Sequence, residues 1–165
     1  MNEILDLKQF LLEGNFSEAM KLITELETMA RQDKLNAIET FLAILISRLI
    51  VIQVIDDIIY RSYVNDIRNS LIEIQRRNRL GDGCYIEADL WRSHYENMVP
   101  YAILIAAETT ELLESYDVEQ LKEAVNFDLL QADTLKLIRT TFSLDVLAID
   151  GYLRYLWPER QVYLY

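Results

Sequence analysis

The feature that most constrains this chain is an apolar segment at residues 36–59, which reads NAIETFLAILISRLIVIQVIDDII. Its run of apolar side chains from residue 41 to 55 is interrupted only by Ser47, Arg48 and Gln53. A helix that is apolar on nearly every side has to be surrounded by other elements or by lipid. The segment therefore predicts a central helix around which the rest of the chain packs.

A membrane-spanning helix is the first alternative for this segment. Such a helix needs about 20 predominantly apolar residues, whereas Arg48 divides the segment into two uncharged pieces, residues 41–47 and 49–55. Neither piece is long enough to span a bilayer. A strand is the second alternative, but the chain contains no Gly or Pro between Asn15 and Leu80, which favours helices. We predict a soluble core helix and no contact with a membrane.

Arg48 is the one charged residue between Glu39 and Asp56. A charge in a protein core is seldom left unpaired, because desolvation of an isolated ion is costly. We therefore predict that Arg48 either reaches an acid on a neighbouring helix or marks a narrow exposed edge. Burial of Arg48 with no acceptor in reach would contradict the central helix.

Composition supports a helical domain. The 165 residues are enough for one domain with a sizeable core, and 52% hydrophobic against 26% charged residues is ordinary for a globular protein. Four Gly and two Pro are too few for the turns of a sheet-rich fold. The prediction is an all-α fold, a single-domain helical bundle (residues 1–165) of six to eight helices around the central segment 36–59.

Helical periodicity and capping residues place the other helices. Asn2 begins a first helix that ends near Gly14, and Asn15 with Glu18 caps a second. Later helices are predicted at residues 60–79, 88–115, 118–125 and 132–141, with Ser143 capping a last one. Residues 80–84, LGDGC, are predicted to form a loop, and Asp56-Asp57 with Arg61 a break after the central helix.

Several segments together resemble a mainly cyanobacterial family of helical proteins known as domain of unknown function twenty-nine. The matching positions are Gly14 and Phe16, Glu25-Leu26-Glu27, Ala30-Arg31, Ser62-Tyr63, Ile67-Arg68, His94-Tyr95-Glu96, Ala106-Ala107-Glu108-Thr109, Phe142-Ser143-Leu144 and Trp157-Pro158. Ala30 replaces the family's usual Gly, and Arg48-Leu49-Ile50 stands where a His-Leu-Leu-Lys-Trp run is common. The resemblance covers almost the whole chain. It implies a helical fold and leaves the function open.

Candidate catalytic and metal-binding residues are sparse. The single His94 has no evident partner for acid–base catalysis, and the chain lacks the Glu-x-x-His pairs of di-iron bundles. A Mg²⁺-dependent hydrolase or nucleotide-processing enzyme would have to use Glu108, Glu111, Asp56 or Asp57, whose simpler interpretation is a solvated helix face. We predict no catalytic residue, no metal site and no cofactor.

Cys84, the one cysteine, excludes an internal disulfide and a Cys-based metal site within the chain. A reactive thiol would need its pKa lowered, for example by Arg79 or by a helix beginning after Ile86. We predict a plain, unreactive thiol. The N-terminal residues show no secretory signal, and we expect a cytoplasmic protein.

The net charge of −11 disfavours binding to phosphate backbones, but the charge is uneven. Residues 60–80 carry five Arg against Asp66 and Glu73, which gives +3 and leaves −14 for the remainder. Helical spacing places most of these Arg opposite the apolar side of their helix. This Arg face is either a solvated surface or a contact for an acidic protein, and nucleic acid is a less favoured partner.

The last fifteen residues, GYLRYLWPERQVYLY, are rich in aromatic side chains of the kind enriched at interfaces. This segment either packs on its own chain or forms an interface with another chain, and the sequence does not decide between the two. The preferred function is a non-enzymatic interaction or accessory protein, whose partner is a second copy of the chain or another protein, with no evident small molecule. Its predicted partner surface comprises Arg61, Arg68, Arg76, Arg79 and Trp157.

Overall fold

The computed structural model describes residues 2–55, 59–109, 112, 115–158 and 162–163. Helices account for most of them: α1 (Glu3–Leu12), α2 (Phe16–Val54), α3 (Arg61–Asn78), α4 (Trp91–Ala107), α5 (Val118–Ala124), α6 (Phe127–Thr141) and α7 (Val146–Leu156). The strands have two residues each: β1 (Ile59–Tyr60), β2 (Arg79–Leu80), β3 (Gly83–Cys84) and β4 (Val162–Tyr163). The fold is all-α with a long central helix, as predicted.

Backbone contacts divide the chain into two compact units, Met1–Asn36 and Ala37–Tyr165. Helix α2 contributes residues to both. In the first unit, Gly14 adopts a left-handed φ of 74° between α1 and α2, and Asn15 Oδ1 accepts a hydrogen bond from the Glu18 N–H at 3.4 Å. Ala19 is the one buried residue among residues 2–36.

The second unit contains the core. The part of α2 within it buries Ile38, Leu42, Leu45, Ile46 and Ile50 completely. Helix α3 contributes three further apolar side chains with no exposed surface, Ile67, Leu71 and Ile74, and packs against both α6 and α7. The predicted central segment is therefore the core of this unit. Its predicted bounds are wrong, because the second helix and the central helix form one continuous helix, which begins at Phe16 and ends at Val54 and not at residue 59.

Helix α2 is also long and apolar enough to cross a membrane, judged by length and composition alone. Half of the residues in its most apolar window are buried inside the protein. The core helix of a soluble protein and a signal sequence near the N-terminus meet the same criteria.

Several predicted boundaries are wrong, and local hydrogen bonds give the reason. Helix α6 begins five residues earlier than predicted because Asn126 Oδ1 accepts from the Leu129 N–H at 3.1 Å. Asp145, and not Ser143, caps α7, since its Oδ1 accepts from the Ala148 N–H at 2.8 Å. The predicted helix 88–115 is shorter, at Trp91–Ala107.

The small strands are a second difference from the sequence prediction. Within the predicted loop 80–84, Arg79–Leu80 pairs with Gly83–Cys84 in an antiparallel hairpin, and Gly81 takes a φ of 57° at its turn. Strands β1 and β4 pair in parallel, which connects the start of α3 to the C-terminal segment. The predicted break after the central helix is present, because α2 ends at Val54 and α3 begins at Arg61, while Asp56 and Asp57 lie outside the described residues.

Candidate functional site

A small cleft between α3 and α7 is lined by three arginines. We call it the arginine cleft. Its cavity volume is about 20 Å³, room for about one water molecule, so a larger ligand would contact these side chains across the mouth of the cleft. Its lining residues are Arg61, Val64, Asn65, Arg68, Asp150, Leu153, Arg154 and Trp157. Three arginines against one aspartate give this small region a net charge of +2 in a chain whose net charge is −11.

Asp150 is shared between two of these arginines. Arg68 Nη1 lies 3.2 Å from Asp150 Oδ1, and Arg154 Nε lies 2.9 Å from Asp150 Oδ2. The Arg68 and Asp150 side chains keep about a third of their surface exposed (31% and 28%), and Arg154 keeps 63%. Because a guanidinium has five N–H donors, these contacts leave donors on Arg68 and Arg154 for a further anion.

The periodicity of the two helices explains why the cleft forms. On α3, Arg61 and Arg68 are two turns apart, so both lie on one side of the helix. On α7, Ile149 and Leu153 are buried, so Asp150 and Arg154, each one position later, lie along the edge of that contact. Burial of the apolar faces of α3 and α7 thus brings the charged residues of both helices together.

The structure divides the predicted partner surface into two parts. Arg61, Arg68 and Trp157 line the arginine cleft, whereas Arg76 and Arg79 line a separate groove of about 160 Å³. Arg76 is also engaged locally, since its Nη2 lies 2.7 Å from Glu73 Oε2. The five residues therefore line two separate pockets along α3.

Sequence reasoning missed Asp150 and Arg154 as members of this site. Their signal was an acid and a base four residues apart, directly before Trp157, which is the spacing of an ion pair on one helix face. That spacing predicts the pair but not the helix against which it packs. The contact with Arg68 is visible only in the folded chain.

Trp157 is half-buried and lines a second cavity as well, one of about 190 Å³. The other residues around this cavity are Leu49, Asp133, Lys136, Leu137, Tyr152 and Leu156. The start of the aromatic C-terminal segment therefore packs on its own chain, with Leu153 only 1% exposed. Tyr155 is the exception at 80% exposed.

Arg48 has the acidic partner that the sequence predicted. Its Nε donates to Asp66 Oδ2 on α3 at 2.7 Å, and its Nη1 donates to Thr109 Oγ1 at 3.3 Å. The guanidinium carbon also lies 5.7 Å from the centre of the Tyr63 ring, within reach of a cation–π interaction. These contacts tie α2 to α3 and to the end of α4.

His94 lies beside an acid that sequence reasoning did not identify. Its Nδ1 is 3.8 Å from Glu39 Oε2 on α2, which is too long for a hydrogen bond, and both side chains are less than a fifth exposed. The acid that is close in sequence, Glu96, pairs with Arg92 at 3.2 Å. The two side chains lie where α2 passes α4, and nothing in their geometry supplies a nucleophile.

The remaining candidates provide no catalytic centre in the described residues. Burial, together with the nearby Glu87 carboxylate, raises the pKa of the Cys84 thiol, which is opposite to activation. Glu108 is exposed, while Asp56, Asp57 and Glu111 lie outside the described residues. Within the described ranges, no group of three or more His, Cys, Asp or Glu side chains could hold a metal ion.

Comparison with protein-family models, with curated proteins and with solved structures finds no match to this chain. The resemblance to domain of unknown function twenty-nine stays a prediction. The arginine cleft therefore has to be interpreted from its own chemistry.

Proposed function

We propose that this chain is a non-enzymatic interaction protein that binds an acidic segment of a partner protein in the arginine cleft. The observation that carries the proposal is the pair of contacts that Asp150 makes with Arg68 and Arg154, in a cleft that Arg61 and Trp157 also line. The long apolar helix is a buried core helix in this proposal, and the protein is cytoplasmic.

Asp150 occupies the position that one carboxylate of a partner would take. Ion pairs with this much solvent exposure contribute little to stability, about 0–1 kcal/mol each. Arg68 and Arg154 can therefore rotate toward an incoming Asp or Glu at small cost. Guanidinium groups bind carboxylates through two parallel hydrogen bonds, which favours arginine over lysine at such a site.

Trp157 adds an apolar contact, which the charged residues of the cleft do not provide. An indole ring buries a large apolar area and offers one N–H donor, which is why Trp is enriched at protein interfaces. The predicted ligand is thus an acidic peptide segment that also carries an apolar or aromatic side chain.

A nucleic acid fits this surface less well. Binding to a phosphate backbone relies on several cations that follow the strand, together with a favourable long-range field. Here Arg76 is bonded to Glu73 and lines a different groove from Arg68, and the net charge of the chain is −11. A compact cluster of charge suits a short acidic segment better.

The proposal is tested by fluorescence anisotropy with a fluorescein-labelled peptide of alternating glutamate and leucine. We expect salt-sensitive binding that Arg68→Gln and Arg154→Gln each weaken about tenfold, the effect of losing roughly 1.4 kcal/mol of charge-assisted hydrogen bonding. Arg76→Gln is the matched control, because it removes an arginine from the same helix but outside the cleft. The Arg76→Gln protein should bind the peptide as tightly as the unmodified protein does.

Three results would contradict the proposal. One is the absence of peptide binding at low salt, and another is an equal loss of affinity in Arg76→Gln. The third is tighter binding of a labelled single-stranded oligonucleotide than of the peptide, which would favour nucleic acid as the partner.

A further inference from the structure

A pocket of about 260 Å³ lies where the β2–β3 hairpin and the start of α4 meet the end of α6. It shares no lining residue with the arginine cleft. Its floor is apolar and deeply buried, since Ile86, Trp91 and Ile138 are 1%, 2% and 1% exposed. Phe142, 52% exposed, forms part of its rim.

Buried polar side chains hold two walls of this pocket in place. Asn78 clamps Ile86 through both backbone groups: its Nδ2 donates to the Ile86 carbonyl at 3.2 Å, and its Oδ1 accepts from the Ile86 N–H at 2.7 Å. Gln75 Nε2 donates to the Ile138 carbonyl at 2.8 Å. A pocket fixed in this way needs little ordering when a ligand enters, which favours binding.

Two exposed side chains of opposite charge, Glu87 and Arg139, also line the pocket. The Glu87 carboxylate lies beside the Cys84 thiol, which also lines the pocket, and among the described residues neither Glu87 nor Arg139 forms an ion pair. Two opposite charges at one pocket that do not satisfy each other leave room for a ligand that carries both charges. An apolar floor between them calls for an apolar body on that ligand.

We infer that this pocket binds a small zwitterion with an apolar body, an α-amino acid with an aliphatic or aromatic side chain. Its carboxylate pairs with Arg139, its ammonium group pairs with Glu87, and its side chain packs on the exposed Phe142 above the buried Trp91 and Ile138. This site is independent of the arginine cleft, so either one can exist without the other.

The chain provides two reporters in the pocket itself. Trp91 is one of only two tryptophans, so in a Trp157→Phe background its fluorescence reports on this pocket alone. Cys84, the single cysteine, also lines the pocket, and its alkylation by iodoacetamide should slow when the pocket is filled.

The experiment titrates L-leucine, L-methionine and L-phenylalanine into the Trp157→Phe protein. For the amino acid that binds best, the N-acetyl derivative lacks the ammonium group and the amide derivative lacks the carboxylate. We expect each derivative to bind at least about tenfold more weakly, the loss of one charge-assisted contact. Bound amino acid should also protect Cys84 from alkylation.

Two variants identify which residue binds which charge. In Arg139→Gln, the free amino acid should bind no more tightly than the amide derivative, but still more tightly than the N-acetyl derivative. In Glu87→Gln, it should bind no more tightly than the N-acetyl derivative, but still more tightly than the amide derivative. Both residues are exposed, so the variants should fold, which circular dichroism checks. Arg92→Gln is the control, because Arg92 pairs with Glu96 outside the pocket. Failure of all three amino acids to bind at millimolar concentration would overturn the inference, as would derivatives that bind as tightly as the free amino acid.

Discussion

Among single residues, the partly buried charged side chains are the ones whose partners only the folded structure identifies. Arg48 interrupts the most apolar helix, and its contacts with Asp66 and Thr109 explain how it is accommodated. The sequence could demand a partner for Arg48 but could not choose among the 27 acidic residues. The acid that pairs with Arg68, Asp150, and the acid near His94, Glu39, are also distant in the chain, and the sequence predicted neither contact.

Removal of the Arg48 charge should destabilise the protein. We expect Arg48→Met to lower the free energy of unfolding by about 1–3 kcal/mol, because Asp66 loses a charge-assisted hydrogen bond in a partly buried setting. Urea denaturation measures the change, and Arg92→Met, at an exposed pair, should change it by less than about 1 kcal/mol. Equal effects of the two substitutions would show that the Arg48 pair has no special role.

Glu73 should make stability depend on pH in acid. Hydrogen bonding to Arg76, with that to Arg77, outweighs desolvation and lowers the pKa of this carboxyl below its ordinary value of 4.5. A lowered pKa in the folded state means that the stabilisation is complete above about pH 4.5 and is lost as the pH falls through the folded-state pKa. Glu73→Gln should therefore show a shallower fall in melting temperature below that pH. Identical slopes for the variant and the unmodified protein would contradict this role.

At the scale of elements, local caps and helical periods were largely predictable, and the errors have local causes. Asp117 and Gln120 form the capping box that their spacing predicts. Ser143 and Asp145 are both good capping residues two positions apart, so the sequence alone could not choose between them, and the structure uses Asp145. The arginines of α3 were predicted as a partner surface, but their distribution between two pockets depends on how α7 packs against α3.

Gln75 connects two elements through a buried amide. Its Nε2 donates to the Ile138 carbonyl and to Thr141 Oγ1 in the last turn of α6, where backbone carbonyls lack helical partners. We expect Gln75→Ala to lower the free energy of unfolding by about 2–4 kcal/mol, through an unsatisfied carbonyl and a cavity. Gln32→Ala, at an exposed position of α2, is the control and should cost less than about 0.5 kcal/mol. A loss for Gln75→Ala as small as that of the control would mean that this bond is dispensable.

At the scale of the whole molecule, the two units differ in how much core they contain. The unit Ala37–Tyr165 holds nearly all of the buried apolar side chains, whereas Ala19 alone is buried in residues 2–36. The apolar composition that marks residues 36–59 thus locates the core correctly. The arginine cleft, in contrast, combines residues of α3 and α7 that no single segment of the sequence contains.

The first unit should not fold by itself. A hairpin of this size with one buried alanine lacks the core that a chain of fewer than about 40 residues needs. We expect a synthetic peptide of residues 1–36 to show a weak helical signal by circular dichroism, with no cooperative melting. The complementary fragment 37–165 should still melt cooperatively. A cooperatively folded peptide would contradict this description of the first unit.

A reversal of charge in the cleft tests most directly whether its arginines bind the acidic ligand. If Arg68 and Arg154 select an acidic ligand, the double variant Arg68→Glu, Arg154→Glu should lose the peptide of alternating glutamate and leucine. The same variant, checked for folding by circular dichroism, should gain affinity for the matching peptide of lysine and leucine. Fluorescence anisotropy with both peptides measures the exchange. If the double variant still binds the glutamate peptide as well as the unmodified protein does, the arginine cleft is not the binding site.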